Sequence, residues 1–352
     1  MKELMKAVAV YGPGDVRIVH DVPVPRVGDY EALIKVAYCG LCNGTDMQLI
    51  AGTVPKSEGF RDYPFILGHE GAGVVVEVGS KVRNIEVGDR FIHNNLREDT
   101  GNGYHKAHGG MAEYGLAVDH QAMLEDGYTR PQLEFYKKFA KIPRDFDLQD
   151  AGVLLALSES MSAVRNFGVA PGSEVLIFGG GPMGTACAVY SRLAGAKRVV
   201  LVDGNDTRLS HAAKIAGLDL TVNYRKQDVD AELGDRRFDV AIDAAGSTKI
   251  IAQASAHLKP YGVVGSVGVL KADDRLLDMN LIQNNTRIQK LNYPYGEYAI
   301  MDENIRLIQS GKLDPKDFYS HVMPLEQINE AIELVKSRQA MKVVLEIDPN
   351  VK

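Results

Sequence analysis

Residues 174–184 read Glu174-Val175-Leu176-Ile177-Phe178-Gly179-Gly180-Gly181-Pro182-Met183-Gly184. A short apolar run gives a buried strand, and the glycines after it match G-x-G-x-x-G where a helix opens. Alone the motif is weak; between a strand and a helix it marks a dinucleotide-binding turn. Gly179 permits the tight turn, Gly181 lets the backbone approach a pyrophosphate, and Gly184 lets the helix pack closely on the strand. Pro182 and Met183 complete the turn. The helix N-terminus offers free N–H groups and a positive dipole end to phosphates.

Working outward, the next strand ends at Asp203, about 20 residues past the last glycine, where an acid accepts hydrogen bonds from adenosine ribose hydroxyls. A carboxylate there repels a 2′-phosphate, so NAD is favoured over NADP. Arg208 flanks the adenine and softens that preference, or it only solvates a helix. The strand–helix rhythm continues, with strands expected at 175–178, 199–202, 240–243 and 263–267. Helices are expected at 182–194, 207–216 and 249–258. This alternation predicts a doubly wound parallel sheet of Rossmann type over 153–291.

The flanks read differently. Residues 5–11, 31–38, 71–78 and 89–91 are short β-branched or apolar runs punctuated by Gly, Pro and Asp, which predicts a compact β-barrel or sandwich. Residues 93–110 read as loop, and 148–165 as helix. Two further helices, 298–309 and 327–337, and a last strand, 342–347, close the chain. The expected division is 1–152 with 292–352, and 153–291.

Composition excludes several classes. Of 352 residues 45% are hydrophobic and 24% charged, as in a globular protein, with Lys+Arg 40 against Asp+Glu 46. No basic block points to nucleic acid. No apolar run approaches the about 20 residues of a membrane helix, and the first residues carry no secretory leader pattern. Three cysteines do not make a disulfide framework and suit a reducing cytoplasm.

A second constellation lies in the first part. Cys39-Gly40-Leu41-Cys42-Asn43-Gly44-Thr45-Asp46 is followed by Gly68-His69-Glu70-Gly71. Thiolate, imidazole and carboxylate are donors that zinc accepts. On spacing alone this signal is modest, because a buried structural cysteine is common.

Together these motifs resemble the medium-chain zinc-dependent alcohol dehydrogenase family. The resemblance runs through residues 6–11 and 42–46, through Gly68-His69-Glu70-Gly71-Ala72-Gly73-Val74-Val75, Val87-Gly88-Asp89-Arg90 and Gly110-Met111-Ala112-Glu113-Tyr114, and through the glycine turn to Lys342-Val343-Val344. It implies an α/β chain in which a Rossmann doubly wound parallel sheet interrupts a GroES-like β-barrel catalytic domain. It also implies one catalytic zinc with Cys42 and His69 as ligands. Glu70 is then an exchangeable ligand or a support behind the others. Ala156-Leu157-Ser158-Glu159-Ser160-Met161-Ser162 resembles the polyol-type segment and nominates Glu159 as third ligand. Thr45 matches the hydroxyl that relays the substrate's proton, and Asp46 the acid that supports the site.

The chain departs from the family pattern in three places. Asn43 and Gly44 put one extra residue between Cys42 and Thr45, which bears on Thr45 more than on Cys42. Gln48 stands where a His is frequent. The lobe at 93–110 has no cysteine, so no structural zinc is expected. His93, His105 and His108 there are solvated loop residues or, as the sharper alternative, a substitute metal site. Cys39 and Cys187 read as core. Residues 120–138, with Tyr128-Thr129-Arg130-Pro131, form a lid or an oligomer contact.

The implied reaction is reversible oxidation of a secondary alcohol, with hydride passing to NAD. The Glu-type ligand points to polyols, sugar alcohols and amino alcohols, and Asn43, Gln48 and Asn292 suit a hydroxylated substrate. The alternatives are a zinc-free NAD(P)H reductase of quinones or enones, and a nucleotide binder without catalysis. A homodimer through the sheet edge near 263–269, or a homotetramer, is implied as well.

Overall fold

In the computed structural model, residues 3–54, 62–130, 139–271, 273–274, 276–292 and 295–351 are described. They fall into two compact units, Met1–Leu155 with Ile305–Lys352, and Ala156–Asn304. Of the long segment at 120–138, residues 131–138 lie outside the described residues. No described helix is long and apolar enough to cross a membrane.

The second unit is a parallel sheet of six described strands. Their order is Leu220–Asn223, Arg198–Asp203, Glu174–Phe178, Phe238–Asp243, Leu258–Ser266 and Arg287–Lys290. The inner strands are apolar on both faces, as a sheet covered by helices requires. Val175, Leu176, Ile177, Val199 and Val200 are all fully buried. Winding starts in the middle at Glu174–Phe178 and proceeds outward in both directions. The strand order therefore reverses between Glu174–Phe178 and Phe238–Asp243, where α/β sheets form a ligand crevice at the carboxyl ends of their strands.

Two strands of this sheet were not legible. Leu220–Asn223 is short, and Arg287–Lys290 (Arg-Ile-Gln-Lys) is a largely exposed edge with little apolar pattern. The latter corrects one expectation: the segment at 263–269 is not the edge, because Leu258–Ser266 pairs with Arg287–Lys290 outside it.

The first unit carries two sheets. One runs Asp15–Pro23, Leu4–Gly12, Phe65–Ile66, Tyr104–Lys106, Asp99–Gly101. The other runs Ala140–Ile142, Arg90–Ile92, Glu70–Val78, Glu31–Leu41, Val343–Glu346, His321–Pro324, with Tyr114–Val118 also on Glu31–Leu41. Val8, Ile34, Val36, Leu41, Phe65, Val75 and Leu345 share its core. The stretch 93–110, expected as loop throughout, holds the antiparallel pair Asp99–Gly101 and Tyr104–Lys106. Three-residue strands are too short to show alternation. The helix expected at 148–165 is two, Leu148–Ala151 and Leu154–Asn166, divided at Gly152 and Val153.

Asp89 shows how the Val-Gly-Asp-Arg turn is fixed. Its buried carboxylate accepts the Glu86 amide at 2.8 Å and Arg144 Nη2 at 2.9 Å, and lies 2.6 Å from Lys141 Nζ. Burial alone would raise its pKa; Lys141, the Glu86 amide and Arg144 outweigh this and hold it low. A depressed carboxyl contributes stability above the unfolded-state pKa near 4 and loses it as pH falls through the folded value. Asp89→Asn is expected to cost about 2 kcal/mol at pH 7, discounted because both cations are half exposed. In urea unfolding the gap to the parent should close below about pH 4.

Candidate metal and dinucleotide sites

Cys42 stands just past the end of strand Glu31–Leu41, ahead of helix Thr45–Ala51. The extra residue is absorbed between them. Asn43 Nδ2 donates to the Met341 carbonyl at 2.8 Å, and Gly44 takes the N-cap without a capping side chain. Thr45 is then the first, half-buried residue of the helix. Asp46 turns inward, fully buried, and its Oδ2 accepts the Cys42 amide at 2.9 Å. Its Oδ1 lies 3.2 Å from His69 Nδ1. The loop lengthens, yet Asp46 still holds both the cysteine turn and the histidine.

His69 comes from the other side. Gly68 has φ +97°, and a Cβ there would meet the Met111 amide nitrogen at 2.7 Å and Cys39 Sγ at 3.2 Å. Only glycine makes this bend without strain. It sets His69 and Glu70 at the start of strand Glu70–Val78. One ligand atom from each of Cys42, His69 and Glu70 lies within 4.8 Å of the others. Burial works against a charged His69, but Asp46, and Cys42 after it, raise its pKa well above the ordinary value. Burial likewise opposes ionisation of Asp46, and His69 with the Cys42 amide overcomes it.

Lys342 completes the surroundings. Its Nζ lies 2.7 Å from Glu70 Oε1, and both side chains are buried. Gly40 makes room, since a Cβ there would sit 2.5 Å from Glu70 Oε2 and 3.0 Å from Lys342 Cε. Sequence reading gave Lys342 no role; its partner is 272 positions away and no local pattern marks it. Glu70 Oε2 is buried without a hydrogen-bond partner among the described residues. A cysteine sulfur, an imidazole and two carboxylates against one lysine form a donor set that a divalent cation such as zinc fits in charge and chemistry.

Other candidates are placed as follows. Glu159 belongs to the second unit, half-buried on helix Leu154–Asn166 between the buried Ser158 and Ser160. Ser158 Oγ accepts from Asn304 Nδ2 at 3.1 Å, and Ser160 Oγ donates to the Ala156 carbonyl at 2.8 Å. Cys39 and Cys187 are buried; burial pushes the Cys39 thiol well up and the Cys187 thiol up to about 12, as fits inert core residues. No described group of three or more metal-binding donors includes His93, His105 or His108.

In the second unit, Gly179 has φ +104°, and Gly181 is the N-cap of helix Pro182–Leu193 with Pro182 at its start. A Cβ on Gly184 would lie 1.8 Å from the Gly179 carbonyl oxygen. Met183 Sδ meets Ser160 Oγ at 3.3 Å. The Asp203 carboxylate, almost wholly buried, accepts the amides of Gly180 at 2.7 Å and Asn205 at 2.8 Å. Arg208 Nη1 would be 3.9 Å from a Cβ on Gly181. The turn, the helix end, the acid and the arginine thus converge at one crevice, a cradle that fits a dinucleotide.

Known proteins share the family and the fold. The family model "Alcohol dehydrogenase GroES-like domain" matches residues 28–125, and "Zinc-binding dehydrogenase" matches 182–310. A sorbitol dehydrogenase of Bombyx mori is 30% identical, covering 97% of this chain and 98% of its own. Human sorbitol dehydrogenase is 27% identical over 98% and 96%. Benzyl alcohol dehydrogenase from Acinetobacter calcoaceticus shares the fold at TM-score 0.82 and 20% identity, over 99% and 100%. A Sinorhizobium meliloti 1021 protein described as a zinc-binding dehydrogenase, solved bound to NADP, has TM-score 0.79 and 26% identity over 98% and 100%.

Proposed function

The chain belongs to the zinc-dependent medium-chain alcohol dehydrogenase family, and from that premise we propose that it oxidises secondary alcohols of the polyol, sugar-alcohol or amino-alcohol class with NAD. The observation that carries the reading is the convergence of Cys42, His69 and Glu70 within 4.8 Å in the first unit. The first unit is the catalytic one and the second binds the cofactor.

Cys42 and His69, with Glu159 as the proposed third ligand, would hold a zinc ion, which would supply Lewis acidity at the alcohol oxygen. Thr45, at the head of its helix, accepts the proton from the substrate hydroxyl and passes it on. Asp46 holds His69 from its Nδ1 side and so orients the ring. Lys342 restrains Glu70 by an ion pair, keeping it behind the ligands or releasing it as an exchangeable one. Gly179, Gly181, Pro182, Met183 and Gly184 receive the pyrophosphate, Asp203 the adenosine ribose, and Arg208 the outer face of the turn. The Asp203 carboxylate supports NAD over NADP, because a 2′-phosphate beside it would be repelled.

A homodimer, or a tetramer of two such dimers, forms through the exposed edge strand Arg287–Lys290. Ile288 on that strand and the exposed Leu276, Met279 and Leu281 favour a second copy there. The unpaired Cys39, Cys42 and Cys187 suit the cytoplasm.

The test begins with metal per chain in protein purified without chelators, followed by a polyol and amino-alcohol panel with NAD and with NADP. One zinc per chain and faster turnover with NAD support the reading. Zinc-free protein after reconstitution, or a preference for NADP, defeats the corresponding part. Glu159→Ala should weaken zinc binding at least about tenfold in a chelator competition; unchanged affinity removes Glu159 from the ligand set.

A further inference from the structure

Six described residues other than glycine have positive φ, and two of them are His93 at +60° and His108 at +75°. This region is sparsely populated by residues that carry a Cβ, and holding one there costs about 1 kcal/mol or more. Such outliers collect where a side chain must be aimed. These two rings are aimed at each other and at the metal site. His108 lies 5.4 Å from the ring of His69, tilted by 57°. His93 lies 6.0 Å from His108, nearly perpendicular to it.

The backbone holds the pair in place. The His93 amide donates to the Gly71 carbonyl at 2.7 Å, two residues past the ligand His69, and the Leu96 amide donates to the His108 carbonyl at 3.0 Å. Next to His93, the fully buried Asn94 is wedged between two glycines. A Cβ on Gly71 would lie 2.1 Å from its Oδ1, and one on Gly115 would lie 2.3 Å from its Nδ2. The Asn94 side chain is packed closely against both backbones. His93 is buried, and His108 is half-buried.

His108 is outside the Cys42, His69 and Glu70 donor group, so it is placed as a neighbour of the ligands rather than one of them. We propose that His108, backed by His93, is a specificity-determining residue whose imidazole hydrogen-bonds the hydroxyl on the carbon next to the reacting carbinol. It selects vicinal diols and polyols over simple secondary alcohols. The proposal rests on the alcohol-oxidising reading above. An imidazole in ring contact with His69 but outside the donor group stands beside the place where a molecule's first oxygen would be held, within reach of a second oxygen next to it. A site built to hydrogen-bond a hydroxyl discriminates strongly against molecules that lack it. His93 acts through His108 and is a positioning residue.

The test compares 2,3-butanediol with 2-butanol on zinc-loaded protein, parent and His108→Phe. Phenylalanine keeps the ring and removes the hydrogen bond. The kcat/KM for 2,3-butanediol is expected to fall about 10- to 100-fold while that for 2-butanol stays within about threefold. Zinc per chain should not change. The diol's dissociation constant from the NADH-bound protein, read by NADH fluorescence, should weaken in the same proportion, independently of turnover. Equal losses on both alcohols, or none, overturn the proposal. If His108→Phe does not accumulate, His108→Gly, which accepts the left-handed backbone freely, carries the same two outcomes. Zinc-loaded parent protein that oxidises neither these alcohols nor any of the wider panel defeats the functional reading and this subsite with it. Turnover in the parent without the selective loss defeats the subsite alone.

Discussion

Cys42→Ala is expected to give a folded protein that purifies with little or no zinc and turns over its best alcohol about a thousandfold more slowly, or worse. The fold should survive, because Cys42 lies at a strand end, only partly buried and outside the core clusters. Its structural duty is carried by its amide, which Asp46 receives at 2.9 Å and which alanine keeps. The other two sulfurs are no substitute: Cys39 and Cys187 are fully buried, and burial pushes the Cys39 thiol well up and the Cys187 thiol up to about 12. A Lewis acid at the reacting oxygen contributes several kcal/mol, and each 1.36 kcal/mol is tenfold in rate, hence about a thousandfold. Elemental analysis and circular dichroism of the variant check both halves. Zinc at the parental level would remove Cys42 from the ligand set.

Gly184→Ala should be nearly as damaging at the other site. The new Cβ would lie 1.8 Å from the Gly179 carbonyl oxygen, 3.0 Å from its carbon and 3.2 Å from Ala244 Cβ. The first two are backbone atoms of the turn itself, so relief requires the helix and the turn to move apart. That displaces the N–H groups that would meet the pyrophosphate. Overpacking of this kind costs about 1–3 kcal/mol of stability, and NAD affinity is expected to fall about a hundredfold. NADH fluorescence titration reads the affinity, and zinc per chain should hold at the parental value. Gly181→Ala is the matched control for packing, since its Cβ would find only Arg208 Nη1, at 3.9 Å. Unfolding midpoints should separate the two variants, with Gly184→Ala alone melting early. Parental affinity in Gly184→Ala would remove the turn from the cofactor's path.

The legible parts of the chain were those whose signal is local. The run from Glu174 to Gly184 carries strand, turn and helix within one window, and the structure places all three as read. His69 and Glu70 were legible because they are adjacent, and Cys42 because its neighbours form a motif. Lys342 was not, since its meaning depends on a pairing across most of the chain. His93 and His108 were read as loop residues or as possible metal donors. Their backbone angles and mutual approach depend on Gly71, Asn94 and Leu96, which no spacing rule connects to them. The strands Leu220–Asn223 and Arg287–Lys290 were missed for a different reason: a short or exposed strand owes its conformation to its neighbour more than to its own side chains.

The pairing of Val343–Glu346 with Glu31–Leu41 has a consequence for how the protein is born. A ribosome adds about 5–20 residues per second, so roughly 15–60 s separate the appearance of Cys42 from that of Lys342. Until Lys342 appears Glu70 lacks its lysine and the long strand Glu31–Leu41 lacks one of its neighbours, whereas residues 156–304 are complete before that point. The nascent chain therefore finishes its nucleotide-binding half first and closes its metal-binding half last.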